Sequence, residues 1–236
     1  MIQFVDETGS TNADLLAQLS AGEALREGDW LVAKRQVSGR GRQGREWFDG
    51  SGNFLGSTVV RPTAGDPAAH SLALVTGLAV YEAILPLCPD PTALLLKWPN
   101  DVLLGGAKLC GILLESQGDA VVVGIGVNLR AAPDLPDRKT VTLSDLTSPP
   151  SLEDFADRLV ASFDRELERW RNHGLELLIR RWLAAAHAMG TKLSIHDPSG
   201  EKIHGTFAGL DAHGSLLLLS GDGKTRTIHA GDVVIV

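Results

Sequence analysis

The stretch Leu94-Leu95-Leu96-Lys97-Trp98-Pro99-Asn100-Asp101-Val102-Leu103-Leu104-Gly105-Gly106-Ala107-Lys108-Leu109-Cys110-Gly111-Ile112-Leu113-Leu114-Glu115 strings together short apolar runs, broken by a proline corner and a glycine pair. Runs that short, punctuated by such turn signals, read as strands joined by hairpins. Ala120–Asn128 continues the series. Consecutive strands joined by turns instead of by helices argue against a doubly wound sheet, and with the helices that flank them they predict an α+β fold.

Working outward, Ile2–Val5, Trp30–Ala33 and Phe54–Val60 are further strand candidates. Ser10-Thr11-Asn12 opens a helix, with Thr11 as the N-cap candidate, Asp14 three residues on, and Leu15, Leu16 and Leu19 behind. Ser71–Leu85 is a second helix, stopped by Pro86. Beyond the central strands a proline-dotted connector, Ala131–Pro150, leads to Ser151-Leu152-Glu153-Asp154, a capping-box-like start to a helix reaching about Asn172, and then to a helix over Leu175–Ala188. The texture changes at Gly190. From there short strands alternate with the turn clusters Pro198-Ser199-Gly200, Asp211-Ala212-His213-Gly214 and Gly221-Asp222-Gly223. We therefore expect a catalytic unit over residues 1–188 and a small barrel over 189–236, docked on the larger unit because so short a piece is marginal alone.

Composition sets the outer bounds. With 236 residues the chain can bury a sizeable core, and two cysteines, Cys88 and Cys110, make neither a disulfide framework nor a zinc site. A formal net charge of −7 disfavours a general binder of nucleic acid or of anionic membranes. The N-terminus lacks a basic stretch leading into an apolar one, and no uninterrupted apolar run approaches 18 residues, so the expectation is a cytoplasmic protein that engages neither membrane nor nucleic acid.

Against that acidic background Gln36-Val37-Ser38-Gly39-Arg40-Gly41-Arg42-Gln43-Gly44-Arg45-Glu46-Trp47 stands out, since Lys34 to Arg45 holds five positive charges and no negative one. Glycines let backbone N–H groups approach an anion, and guanidinium forks grip phosphate or carboxylate. Three readings stand: a ligand-gripping loop, a solvated basic loop, or an arginine–glycine nucleic-acid segment. Lys97-Trp98-Pro99-Asn100-Asp101 either delivers polar side chains at a strand end or is an ordinary corner. Lys108, opening a buried strand, is either a snorkelling rim charge or an active-site cation. Cys110 reads as a small buried hydrophobe. Gly124-Ile125-Gly126-Val127-Asn128 lacks the third glycine and the following helix of a dinucleotide fold, so its glycines are better read as ending a strand against a ligand. The seven histidines show no metal-ligand spacing.

Taken in order, Ser10-Thr11-Asn12, Gln36 through Trp47, Lys97–Asp101, Lys108 with Gly111-Ile112, and Gly124–Asn128 resemble the biotin–protein ligases, and Gly209-Leu210-Asp211 … Gly231-Asp232-Val233 resembles that family's SH3-like barrel. The likeness covers almost the whole chain. It implies a catalytic domain of the class II aminoacyl-tRNA synthetase kind. Its implied reaction has two steps: biotin is activated by ATP, with Mg²⁺, as biotinyl-5′-AMP, and the biotinyl group passes to a lysine of a biotin carboxyl carrier protein domain. The implied biotin contacts are Ser10, Thr11, Asn12, Gln36, Gly39, Arg40, Gly41, Arg42, Lys108 and Gly124, with Gly111 and Ile112 approaching through backbone. Arg42, Arg45, Trp47, Lys97, Asn100, Asp101 and Asn128 fall on the nucleotide side. Arg42, Lys108 and Asp101 are the catalytic candidates, Asp101 as a possible base for the acceptor lysine; no metal ligands are assigned. Members with an N-terminal winged helix also repress transcription; this pattern begins at Met1, so a monofunctional ligase is expected. The family includes monomers and homodimers, and the sequence does not choose. Its rivals are a lipoate or octanoate transferase of the same fold, a silent biotin-sensing protein and a nucleic-acid module.

Overall fold

A computed structural model describes residues 1–136, 138–196 and 202–236. In chain order the elements are β1 (Ile2–Val5), α1 (Thr11–Ser20), β2 (Trp30–Ala33), β3 (Phe54–Val60), α2 (Leu72–Ile84), β4 (Leu94–Lys97), β5 (Asp101–Leu104), β6 (Ala107–Gln117), β7 (Ala120–Val127) and α3 (Leu152–Ala185). Five short strands follow: β8 (Lys192–His196), β9 (Lys202–Leu210), β10 (Leu216–Ser220), β11 (Thr225–Ile228) and β12 (Asp232–Ile235). The first seven strands form one sheet in the order β1-β2-β3-β7-β6-β5-β4. Only β1 and β2 run parallel, a pairing that needs a crossover, and α1 supplies it. The hairpin-rich centre bears out the α+β expectation.

Side-chain alternation divides the sheet's two faces. On β7, Val121, Val123, Ile125 and Val127 enter the main apolar cluster with α2 and α3, while Ala120 and Val122 meet Leu15, Leu31 and Val59 beneath α1. Gly124 and Gly126 share that second face, which becomes the floor of the site. The segment Ala69–Leu87 is apolar enough, at a mean hydropathy of 1.4, to cross a membrane by length and composition, which counting unbroken runs did not register. It is α2 with its flanking turns, largely buried as a core helix in the main cluster with α3 and the sheet.

Two local expectations shift. The N-cap of α1 is Ser10, whose backbone is extended and whose hydroxyl receives the amide of Ala13, whereas the hydroxyl of Thr11 is committed to Gln36. The two expected C-terminal helices are halves of α3, divided at Gly174, where φ of 70° lies outside the helical region. Ser151 caps the first half through the amide of Asp154 at 3.1 Å.

The C-terminal strands form a five-stranded antiparallel sheet, β11-β10-β9-β8-β12. Among the described residues its edge strands β11 and β12 do not pair, so the expected barrel is an open sheet; the Pro198-Ser199-Gly200 turn lies outside the described residues. It docks as expected. Leu193, Ile195, Phe207, Leu216 and Leu218 belong to the same apolar cluster as the large sheet, and the indole N–H of Trp98 donates to Gly214 O at 3.1 Å.

Candidate active site

Strand register builds the site row by row. Leu55 pairs with Gly126, Gly126 with Gly111, Gly111 with Asp101, and Asp101 with Lys97, so these positions cross five adjacent strands on one face. Lys108 joins them through a bulge. Val102 pairs with Cys110 but Leu103 pairs with Lys108, so one extra residue on β6 reverses the usual alternation and turns Lys108 to the face of Asp101. Both carboxylate oxygens of Asp101 are engaged, one by Lys108 and the other by Lys97 at 2.8 Å. Burial would raise the pKa of this carboxyl; the charges of Lys108 and then Lys97 reverse that and hold it at about 2.

Over the glycines lies the basic loop, which is ordered by its own backbone. Gly41 N donates to Arg45 O at 2.7 Å and Trp47 N to Gly39 O at 2.9 Å, closing a small hairpin around a 3-10 turn at Arg42–Gly44. Trp47 is thereby laid on the floor: a Cβ at Gly126 would stand 2.3 Å from its indole, and one at Gly111 would stand 2.6 Å away. The ammonium of Lys108 lies 5.6 Å from the Trp47 ring centroid, a cation–π distance. Arg42 donates to Asn100 Oδ1 at 3.0 Å, while Asn100 Nδ2 donates to Ile112 O at 2.7 Å and ties the proline corner to β6.

The next row holds Ser57, Gly124 and Leu113. Here the start of α1 meets the sheet. Gln36 Oε1 receives both the amide and the hydroxyl of Thr11, at 2.7 and 2.9 Å, and the Thr11 and Ser57 hydroxyls are 2.6 Å apart. Ser57 donates to Asn12 Oδ1, and Asn12 Nδ2 reaches Glu115 Oε2 at 2.8 Å. A Cβ at Gly124 would fall 2.3 Å from Asn12, which is why that position is bare. Ser10, Thr11, Asn12, Gln36, Trp47, Ser57, Gly124 and Gly126 line a small depression of about 30 Å³. A larger, open cavity of about 710 Å³ lies at the outer end of β5, beside Gly105 and Leu135–Pro136, away from this convergence.

Most of the predicted residues therefore converge: Ser10, Thr11, Asn12, Gln36, Gly39, Gly41, Arg42, Trp47, Lys97, Asn100, Asp101, Lys108, Gly111 and Gly124. Arg45 sits at the loop's outer edge, bound to Asp232. Arg40 is in the loop with its side chain exposed. Ile112 departs from its expectation, because Asn100 occupies both its N–H and C=O and its side chain enters the helix-covered core. Asn128 is buried at the end of β7, its amide directed to Val141 O at 3.3 Å and Lys108 O at 3.5 Å. Ser57, Glu115 and Asp232 were not foreseen. A serine inside the apolar Phe54–Val60 run was the available signal for the first; nothing local marks the other two. Among the described residues no three His, Cys, Asp or Glu side chains converge.

The profile of the biotin/lipoate A/B protein ligase family matches residues 5–130, and that of the biotin protein ligase C-terminal domain matches 195–236. The biotin–[acetyl-CoA-carboxylase] ligase of Paracoccus denitrificans is 39% identical over 96% of this chain and 97% of its own length. That of Mycobacterium tuberculosis is 37% identical over 99% of this chain and 88% of its own. The biotin protein ligase of Aquifex aeolicus, solved in complex with biotin and ATP, superimposes with a TM-score of 0.86 at 27% identity, over 100% of this chain and 98% of that one. This chain belongs to the biotin/lipoate A/B protein ligase family.

Proposed function

We propose that the chain is an ATP-dependent biotin–[acetyl-CoA-carboxylase] ligase, which joins biotin to AMP and passes the biotinyl group to a lysine of a carboxylase's biotin carrier domain. One observation carries the reading: a glycine-floored face where Arg42, Lys97 and Lys108 converge beside a neutral polar pocket. Solved relatives bearing biotin with ATP and the named ligases over nearly full length support it.

In the first step a biotin carboxylate oxygen bonds to the α-phosphorus of ATP and pyrophosphate leaves. Both reactants are anionic, so the barrier is largely repulsion. Arg42, Arg45, Lys97 and Lys108 offset that charge, and because Asp101 and Asn100 already fix three of these four, little reorganisation accompanies the reaction. The Thr11–Gln36–Ser57–Asn12 network serves the neutral ring system of biotin. The side chain of Trp47 covers the activated carbonyl. In the second step the acceptor amine attacks the acyl carbon and AMP departs, with the amine proton lost to solvent. A carboxylate held near pKa 2 by two lysines is a poor proton acceptor at neutral pH, so Asp101 acts by seating Lys97 and Lys108, not as the base. A divalent ion would arrive with the triphosphate and share in offsetting its charge. The chain divides functionally at residues 188 and 189, the first unit supplying the sheet face and the second bracing it.

Biotin-dependent ATP–pyrophosphate exchange, run beside lipoate and octanoate, tests the proposal. Exchange with biotin alone supports it. Exchange only with another acid, or none with any, overturns it.

A further inference from the structure

Three consecutive residues of the C-terminal sheet, Gly231, Asp232 and Val233, each engage a different cation of the catalytic face. Gly231 O receives Arg42 Nη2 at 3.5 Å, the Asp232 carboxylate pairs with Arg45 Nη2, and Val233 O receives Lys97 Nζ at 2.9 Å. These residues lie about 130 to 190 positions from their partners in sequence, so the juxtaposition is tertiary. The seat is firm. Asp232 and Val233 pair with His196 and Ile195 of β8, and a Cβ at Gly231 would stand 2.9 Å from His196 O, so the backbone enters β12 pressed against its neighbour.

The geometry points to Asp232 as a positioning residue for the adenylation step: from the second unit it seats Arg45, and with it the Gly39–Trp47 hairpin, over the sheet face. This rests on the ligase reading. The Arg45 guanidinium bonds Asp232 and, at 3.2 Å, Gln43 through Nη2, and its Nη1 and Nε are the groups offered to a phosphate. A guanidinium already fixed at one corner loses less freedom when a polyphosphate takes the other edge. Arg42 and Lys97 are steadied by backbone carbonyls of the same strand entry, which orient a cation without neutralising it; the countercharge on Lys97 comes from Asp101 in the first unit. Of the three residues of this strand entry Asp232 alone carries a countercharge, and it is applied to the outermost cation, where it holds the hairpin closed.

The test uses the whole chain carrying Asp232→Asn and, separately, Asp232→Glu. The pair is partly exposed, which limits the effect to about three- to tenfold. With D232N, KM for ATP and the rate of biotinyl-adenylate escape rise by that factor, kcat for pyrophosphate exchange stays within about twofold, and trypsin cuts at Arg40–Arg45 faster. D232E restores all three at an unchanged melting temperature. A bracing role without positioning would instead move the melting temperature and kcat together. D232N with wild-type KM for ATP, adenylate retention and trypsin sensitivity overturns the inference. If the wild-type protein shows no biotin-dependent exchange, the ligase reading fails first. The trypsin comparison then decides the seating alone: faster cleavage of D232N sustains it, and equal cleavage removes it.

Discussion

Asp101 is held between burial, which favours its neutral form, and two ammonium groups, which favour the carboxylate and win. A folded-state pKa of about 2 against 3.8 for the free group means that stability is present above pH ~4 and is lost as pH falls toward 2, by an amount on the order of 2 kcal/mol. Asp101→Asn leaves two lysines facing each other, so we expect at least a hundredfold loss of pyrophosphate exchange. Urea titrations of wild type and D101N should differ at pH 6 and converge as pH approaches 2. Gly126→Ala probes the floor: the added methyl meets the indole of Trp47, so the variant should fold with a loss of about 1–3 kcal/mol while biotin binding, read by calorimetry, falls at least tenfold. Arg42, Asp101 and Lys108 were legible because charges interrupt apolar or glycine-rich runs. Glu115 and Asp232 were not, because a carboxylate at a strand end looks the same in sequence whether water or Asn12 or Arg45 is its partner.

Among the elements, the basic hairpin is closed by few backbone bonds and carries the exposed apolar residue Val37 at its base. The depression beneath it, about 30 Å³, is small against a two-ring acid, so the hairpin is the element expected to shift when such a ligand binds. We expect trypsin to cut within Lys34–Arg45 readily in the protein alone and at least fivefold more slowly with biotin and ATP together, followed by mass spectrometry; equal rates would contradict a closing lid. On the opposite face, Glu166 in the first half of α3 is fully buried and bonds Arg181 of the second half, while Arg181 also reaches Glu82 of α2. This cluster clamps the bend at Gly174. Glu166→Ala strands the arginines, and denaturant unfolding should show a loss of about 3 kcal/mol with pyrophosphate exchange at mild temperature unchanged. Sequence periodicity found nearly every strand and the break in α3, since Gly174 interrupts the helical pattern itself. The cap of α1 was placed one residue late because Ser10 and Thr11 are equivalent locally, and only Gln36, 25 residues away, separates them. The bulge that aims Lys108 was invisible, because it depends on the register with β5.

Across the whole molecule, the site belongs to no single stretch. Its floor comes from β6 and β7, its cations from the hairpin, β4 and β6, and its pocket wall from α1 and β3, so it exists only once the seven-stranded sheet has closed. The order of sheet neighbours was therefore beyond the sequence, though the segments themselves were plain. The open C-terminal sheet was expected as a barrel because short strands at even spacing announce turns without saying whether the edges meet. That sheet shares its core with the large unit and touches three of the four cations through Gly231–Val233. A recombination event that joined residues 1–188 to a relative's last strands would import a foreign seat for Lys97, Arg42 and Arg45, even if every apolar residue at the junction matched. The boundary between the units is a convenient place to divide the chain in description and a poor place to exchange it.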